Sequence, residues 1–298
     1  MSRWKEWFAF LFVGVLAWGT SFMWIKVALL EVGPLTLVLW RFLFGALSAW
    51  LIVWAMRIPI DRNRKKLAAT LLLGLVNSAL PITLITWAEL YIDSGLTSLL
   101  NSTMPLWTII IAHQFLHDDR FTRAKAIGLL VGFSGAVILL IRDMHPQGWS
   151  GSFWGQLAVL LAAFCYGCSN VFARRVLKGQ HPLQTTAVSL TSAVLALAIV
   201  APIIESPLAV PRLPMTWLAC AWMGVIGLGL AYYAYYYLLN TWGSTRTSLV
   251  TYLLPLTAVT LGVVLLGEKP SWHVFAGGAL VIIGIVLVNL SPRPKLKI

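Results

Sequence analysis

Apolar residues run through this chain in stretches of about twenty, separated by short polar connections. That pattern predicts ten helices, at residues 7 to 30, 34 to 56, 67 to 89, 94 to 116, 122 to 141, 152 to 174, 183 to 204, 214 to 240, 244 to 266 and 271 to 291. Each is about long enough to cross the hydrocarbon of a bilayer. The breaks have local causes. Gly33-Pro34 and His181-Pro182 restart helices, because proline suits a first turn. The run Arg62-Asn63-Arg64-Lys65-Lys66 cannot enter lipid, and the segment from Glu205 to Pro214, with Pro207, Pro211 and Pro214, reads as an extramembrane loop.

The pattern is doubled. Trp18-Gly19-Thr20-Ser21 returns 148 positions later as Tyr166-Gly167-Cys168-Ser169, with Lys26 and Pro34 returning as Arg174 and Pro182. A second register, shifted by 150, matches Leu96 through Leu106 to Arg246 through Leu256, and Ser94, Asp118 and Gly128 to Ser244, Glu268 and Gly278. A fixed repeat in an apolar chain points to a transporter architecture.

Composition narrows the class. The 298 residues are 59% hydrophobic and 11% charged, against roughly 45–50% and 25% for a soluble domain. The net charge of +12 would suggest nucleic acid in a soluble protein, but here the basic residues fall between apolar spans, as topology signals do. With the N-terminus cytoplasmic, the inner segments hold Arg3 and Lys5; Arg57, Arg62, Arg64, Lys65 and Lys66; Arg120, Arg123 and Lys125; Arg174, Arg175 and Lys178; Arg246; and Arg293, Lys295 and Lys297. The outer segments hold Arg142, Arg212 and Lys269. Both termini then face the cytoplasm, and five helices per repeat insert the halves in opposite senses. The expected fold is all-α and integral to the membrane. It has ten transmembrane helices as two inverted five-helix repeats, residues 1–143 and 148–298, which make one transport domain in the cell membrane, the inner membrane if the source is bacterial. The start is read as a first helix rather than a signal peptide, since its apolar run continues to about Leu30. Cys165, Cys168 and Cys220 give no disulfide framework, and the Cys165-x-x-Cys168 spacing has no redox-domain pattern around it.

Several of these stretches resemble a known family. Trp18-Gly-Thr-Ser-Phe22, Pro34 to Trp40-Arg41, the small residues leading to Pro105-Leu106, and Leu266-Gly-Glu268 with following glycines are similar to EamA-type members of the drug/metabolite transporter superfamily. The first repeat departs from the pattern with His117-Asp118-Asp119 where the second has Gly267-Glu268-Lys269. The resemblance spans nearly the whole chain. It implies export of small metabolites, often amino acids, through a central cavity.

Intramembrane charge is costly and marks function or an escape to the interface. Lys26, Arg41 and Glu89 fall in the outer halves of their helices, so an ion-pair network among them is one reading and snorkelling of Lys26 and Glu89 is another. For Arg41, a gating ion pair, substrate contact and a lipid headgroup contact stay open. Glu89 is the best candidate for a proton-responsive group, since burial favours the neutral form of a carboxyl; its counterpart at 239 is Leu. Asn77 precedes Pro81 by one turn, Asn101 and Ser102 precede Pro105, Tyr252 precedes Pro255, and Asn170 follows Ser169. Such residues either bond across helices or line the pathway, and as a set they are expected to line it with Trp18, Ser21, Trp87 and Tyr166. Trp4, Trp7, Trp149, Trp154 and Trp272 read as interfacial anchors, whereas Trp24 and Trp107 lie within spans. Tyr232, Tyr233, Tyr235, Tyr236 and Tyr237 cover all faces of one helix, and Tyr232 with Tyr236 is the pair expected inward. Gly128 and Gly132 form a small-residue face for packing within the bundle or between protomers.

The function expected is a secondary carrier that exports small metabolites by alternating access. Apolar or aromatic amino acids or related amphipathic compounds would be its substrates, with no cofactor and no metal, and proton coupling as an open possibility. No Walker sequence for ATP use is present. A passive channel would repeat its pore groups in both halves. A metalloenzyme would need more than His113 and His117 with Asp118 at one helix end.

Overall fold

The computed structural model describes residues 3–115, 122–141, 144–145, 148–149, 151–206, 209–247 and 249–289. Of the residues named above, His117, Asp118, Asp119, Arg120, Arg142, Pro207, Arg293, Lys295 and Lys297 lie outside them, as do the side chains of Arg3, Trp149, Ser244 and Arg246. Eight helices are long and apolar enough to cross a membrane: α1 (Trp4–Ala28), α2 (Pro34–Ala55), α3 (Arg64–Ala88), α4 (Ser94–Phe115), α5 (Arg123–Ile141), α6 (Gly151–Val176), α7 (Pro182–Ile204) and α8 (Pro214–Trp242). Two shorter apolar helices follow, α9 (Val250–Leu266) and α10 (Trp272–Val288). Between α5 and α6 lies a two-residue antiparallel pair, Met144 opposite Trp149 and His145 opposite Gly148.

Helix starts follow local chemistry. Gly33 is extended (φ −69°, ψ 163°) ahead of Pro34, and His181 (ψ 125°) accepts the Leu183 N–H at 3.3 Å ahead of α7. The basic run, expected wholly in a connection, instead supplies the first turn of α3, because the Asn63 side chain accepts from the N–H groups of Lys65 and Lys66 at 3.0 and 3.3 Å. The expected start of the ninth helix at 244 is displaced as well. Before α4 the chain is extended at Asp93 (ψ 151°), but the related stretch stays helical to Thr247, so α9 begins at Val250.

Four spans are irregular. Wide turns of i to i+5 type open α1 at Phe12–Ala17, α3 at Gly74–Ala79 and α8 at Trp222–Leu230; in α1 the Val13 carbonyl accepts from the Trp18 N–H at 3.0 Å. In α4 the helix breaks at Ser102–Thr103, just ahead of Pro105. Pro81 and Pro105 each lack the N–H that the carbonyl four residues earlier, of Asn77 and of Asn101, would otherwise receive. Such interruptions are tolerated in a span only where protein or a cavity satisfies the freed groups. No interruption accompanies Pro255, which sits inside a continuous α9.

The helices pack in a regular scheme. α5 lies along α10, α2 along α7, and α4 along α9; α3 packs on α6, and α1 on α8; α4 also meets α6, and α1 meets α9; α2 meets α8, and α7 meets α3. Water does not drive these contacts inside a bilayer, so close approach carries them. A Cβ at Gly128 would stand 2.7 Å from the Gly284 carbonyl oxygen, and one at Gly135 would stand 2.5 Å from that of Gly277. The small-residue face of α5 is therefore used within the bundle, against α10. On α8, a Cβ at Gly224 would stand 2.6 Å from the Arg41 carbonyl oxygen, which fixes how closely α8 approaches α2 beside that arginine.

Candidate functional site

Arg41 is buried, 5% exposed on α2, about two turns past Pro34. Its Nη1 lies 3.6 Å from the Met223 sulfur, and its Nε has no hydrogen-bond partner among the described residues. Tyr166 of α6, Tyr232 and Cys220 of α8, and Glu89 at the end of α3 are the groups in its electrostatic reach. The surroundings are otherwise apolar, with Phe22, Ile25, Leu37, Ile85, Ala162 and Met223 forming the buried cluster at this junction. The wide turn of α8 contributes twice. It brings Met223 to the guanidinium, and it leaves the Gly227 carbonyl to accept from the Trp18 indole at 2.9 Å. Trp18 in turn packs on Tyr232 and Tyr235, with centroids 5.8 and 5.3 Å apart.

Glu89 is 1% exposed, and neither carboxylate oxygen meets a hydrogen-bond donor among the described residues. Lys26, Glu268 and Arg41 are its charged neighbours. The ion-pair network that was one reading of Lys26, Arg41 and Glu89 is not formed: no ion pair within 4.0 Å joins any of the three to a described residue. Lys26 donates instead to the Glu89 main-chain carbonyl at 2.6 Å, a cation on the C-terminus of α3. Ser94 is near the carboxylate, but its hydroxyl donates to the Phe22 carbonyl at 3.4 Å. Snorkelling does not describe Glu89, whose side chain is closed in by the protein.

The other predicted residues divide. Ser21 and Ser102 bond back to the carbonyls of Ala17 and Ser98, at 3.1 and 2.8 Å, and so are spent within their own helices. Asn101 is half-buried with its side-chain oxygen unpartnered among the described residues, and Asn77 is half-buried inside the wide turn of α3. Asn170 is exposed, with Nδ2 at 3.7 Å from the Met104 sulfur. Trp87 packs edge-on to Tyr91, and Tyr252 packs on the α4–α10 core. Tyr236 turns from Tyr232 to lie 5.1 Å from the His181 ring, while Tyr235, which was not expected inward, packs beside Trp18. The structure thus gathers Trp18, Arg41, Tyr166 and Tyr232 with Glu89 and Lys26, and leaves Trp87, Asn170, Tyr236 and Tyr252 elsewhere. Thr83, Thr86, Ser98 and Ser169 were not predicted; their hydroxyls are buried and unpartnered among the described residues. Thr83, Thr86 and Glu89 recur every third position of an apolar helix, which is the signal that could have found two of them. Ser169 and Cys168 also line a groove of about 210 Å³ between α3 and α6.

Three more carboxylates hold the end of the bundle where α1, α7 and α9 finish. Glu205 accepts the N–H groups of Leu35 and Thr36 at 2.8 and 2.9 Å and the Thr36 hydroxyl at 2.7 Å, closing the start of α2. Glu268, just past the left-handed Gly267 (φ 68°), accepts the N–H groups of Ser94 and Gly95 at 2.8 and 3.4 Å at the start of α4. Glu31 accepts the N–H groups of Arg212 and Leu213 ahead of α8, and Thr216 together with these donors holds its carboxyl below the ordinary value. Each is an anion on a helix N-terminus, supplied by a different helix. At the other end, a surface groove of about 610 Å³ is lined by Trp50, Trp54, Arg57 and Ile58. Among the described residues no cluster of three or more His, Cys, Asp or Glu converges.

The description of the EamA-like transporter family matches residues 5–141 and again 153–290. The chain belongs to that family. It is a multi-pass membrane transporter and not an enzyme, acting on small molecules from a lipid environment. Relatives include a Bacillus subtilis (strain 168) protein named "Uncharacterized transporter YoaV", 26% identical over 91% of this chain and 92% of its own. Another, from Salmonella typhimurium (strain LT2), is named "Probable amino-acid metabolite efflux pump" and is 27% identical over 96% of this chain and 95% of its own. A solved crystal structure has the same fold, with a TM-score of 0.67 at 22% identity over 97% of this chain and 99% of that one.

Proposed function

We propose that this EamA-like protein is a secondary carrier that exports apolar or aromatic amino acids, or related amphipathic metabolites, by alternating access. The observation that carries the reading is the junction of α1, α2, α3, α6 and α8, where two buried charges and two tyrosines drawn from both halves of the chain meet without pairing. Trp18, Tyr166, Tyr232 and Asn101 form the wall of the pathway in this reading, Arg41 and Glu89 its working charges, and Glu89 the carrier of any coupled proton. The relative named for amino-acid efflux supports the substrate class.

The mechanism rests on ten spans in two inverted repeats, residues 1–143 and 148–298, with both termini cytoplasmic in a bacterial inner membrane. Two observations support it. The family description matches twice, at a spacing of 148 residues between its starts. Exchanging α1–α5 with α6–α10 also carries the helix contacts onto one another: α3 on α6 becomes α8 on α1, and α2 on α8 becomes α7 on α3. Two conformations of similar energy, open to either side, follow from such a scheme. Proteoliposomes loaded with a mixture of labelled amino acids, with and without a pH gradient, test the function. Selective loss of apolar and aromatic amino acids is expected; no loss, with a control carrier active, refutes it. Reporter fusions should read cytoplasmic at both termini, and a periplasmic signal at either would break the inverted-repeat scheme.

A further inference from the structure

Four charges meet near the end of α3, and two of them are already engaged. Lys26 is spent on the Glu89 carbonyl at 2.6 Å, and Glu268 on the backbone of Ser94 and Gly95. Arg41 and Glu89 are opposite in sign, 5% and 1% exposed, and within each other's electrostatic reach, yet they are not within 4.0 Å of each other. The Arg41 Nε and both Glu89 oxygens lack hydrogen-bond partners among the described residues. Leaving such groups uncompensated is expensive in a protein interior.

We propose that Arg41 and Glu89 bind the two ends of a zwitterion, Arg41 the carboxylate and Glu89 the ammonium of a transported α-amino acid. A planar guanidinium suits a carboxylate through two parallel hydrogen bonds. The choice of a net-neutral ligand follows from the local balance. Lys26 and Arg41 offset Glu89 and Glu268, so a zwitterion leaves the cluster neutral, whereas a simple carboxylic acid or a simple amine would not. The side chain of the ligand would lie against Tyr166 and Tyr232, the latter braced by Trp18. This assignment deepens the exporter reading and rests on it for its setting, but binding tests it apart from transport.

The test is calorimetric titration of the full-length protein in lipid nanodiscs with L-phenylalanine, L-phenylalaninamide, 3-phenylpropanoate and phenethylamine, repeated with L-leucine and L-leucinamide. Wild type is expected to bind the zwitterions at least about tenfold more tightly than any analogue lacking one charge. Arg41→Gln should erase the difference between acid and amide, and Glu89→Gln the difference between amino acid and 3-phenylpropanoate. Where a Gln variant fails to fold, Arg41→Lys or Glu89→Asp should weaken the same discrimination, and discrimination identical to wild type would overturn the assignment. Equal binding of zwitterions and singly charged analogues by wild type would also overturn it. So would failure of every probe to bind, although flux of other solutes in the liposome assay would then leave the exporter reading standing.

Discussion

At the end of the bundle where α1, α7 and α9 finish, Glu31, Glu205 and Glu268 are each received by N–H groups at the start of a neighbouring helix, with Leu213, Leu35 and Ser94 donating at 3.0, 2.8 and 2.8 Å. Arg41, about two turns past the start of α2, and Glu89, at the end of α3, are better buried, yet no helix N-terminus receives the Glu89 carboxylate, and the Arg41 Nε has no partner among the described residues. The same chemistry is used to opposite ends. Rim carboxylates complete helix termini, which stabilises one arrangement of helices. The two buried charges complete no helix terminus with their side chains, and a charge kept in a membrane protein without an ion-pair partner is retained for what passes by it.

Breaking the centre should affect transport and spare the fold. Arg41→Ala is expected to reduce flux in proteoliposomes to background while the protein still inserts in the membrane, because no described ion pair is lost. Flux at the wild-type level would remove Arg41 from the mechanism. Breaking the rim should do the reverse. Glu205→Ala, which strands two backbone donors and the Thr36 hydroxyl, is expected to cost about 1 kcal/mol, read as a lower unfolding temperature in detergent with measurable transport remaining. A variant as stable as wild type would show that the clasp is ornamental.

Glu89→Gln sharpens the contrast, because it removes a charge but keeps the shape. Its flux should lose the pH dependence of wild type with little change in unfolding temperature, and an unaltered pH profile would exclude the carboxyl from coupling. The smallest effect is expected at Glu31. Its carboxyl is held below the ordinary value, so its contribution to stability is present at neutral pH and lost as pH falls through that lowered value. Wild type should lose unfolding temperature relative to Glu31→Gln below about pH 4, and parallel curves would contradict the clasp.

How far the sequence could be read differs between these regions. Helix positions were legible where proline or a charge run punctuated an apolar stretch: α2 was expected at 34 to 56 and is Pro34–Ala55, and α7 at 183 to 204 and is Pro182–Ile204. The start of α9 was misplaced because the repeat was taken to preserve every break, whereas the turn at Asp93 has no equivalent near Gly243. Burial of Arg41 followed from its depth in an apolar span, whereas Glu89, near a helix end, was equally readable as snorkelling; that the two do not pair was not legible, since spacing along a helix says nothing of the distance across it. Ser21 and Ser102 show the same limit: a small hydroxyl in a span satisfies itself on its own helix as readily as it faces a pathway. The clasps had a visible sign, an acidic residue one to three positions past an apolar span at Ala28, Ile204 and Leu266. Which helix each would reach depended on the fold.

The most direct measurement uses Cys220, fully buried and beside Arg41. In a Cys165→Ala, Cys168→Ala background, labelling by a membrane-impermeant maleimide would be followed in oriented vesicles during turnover, with and without L-phenylalanine. The account predicts that Cys220 becomes reactive as the pathway opens, and that the amino acid slows its labelling in wild type but not in Arg41→Gln. A Cys220 that stays unreactive in a protein shown to transport, or one labelled at the same rate whatever amino acid is present, would contradict the claim that the centre of this bundle is the substrate site.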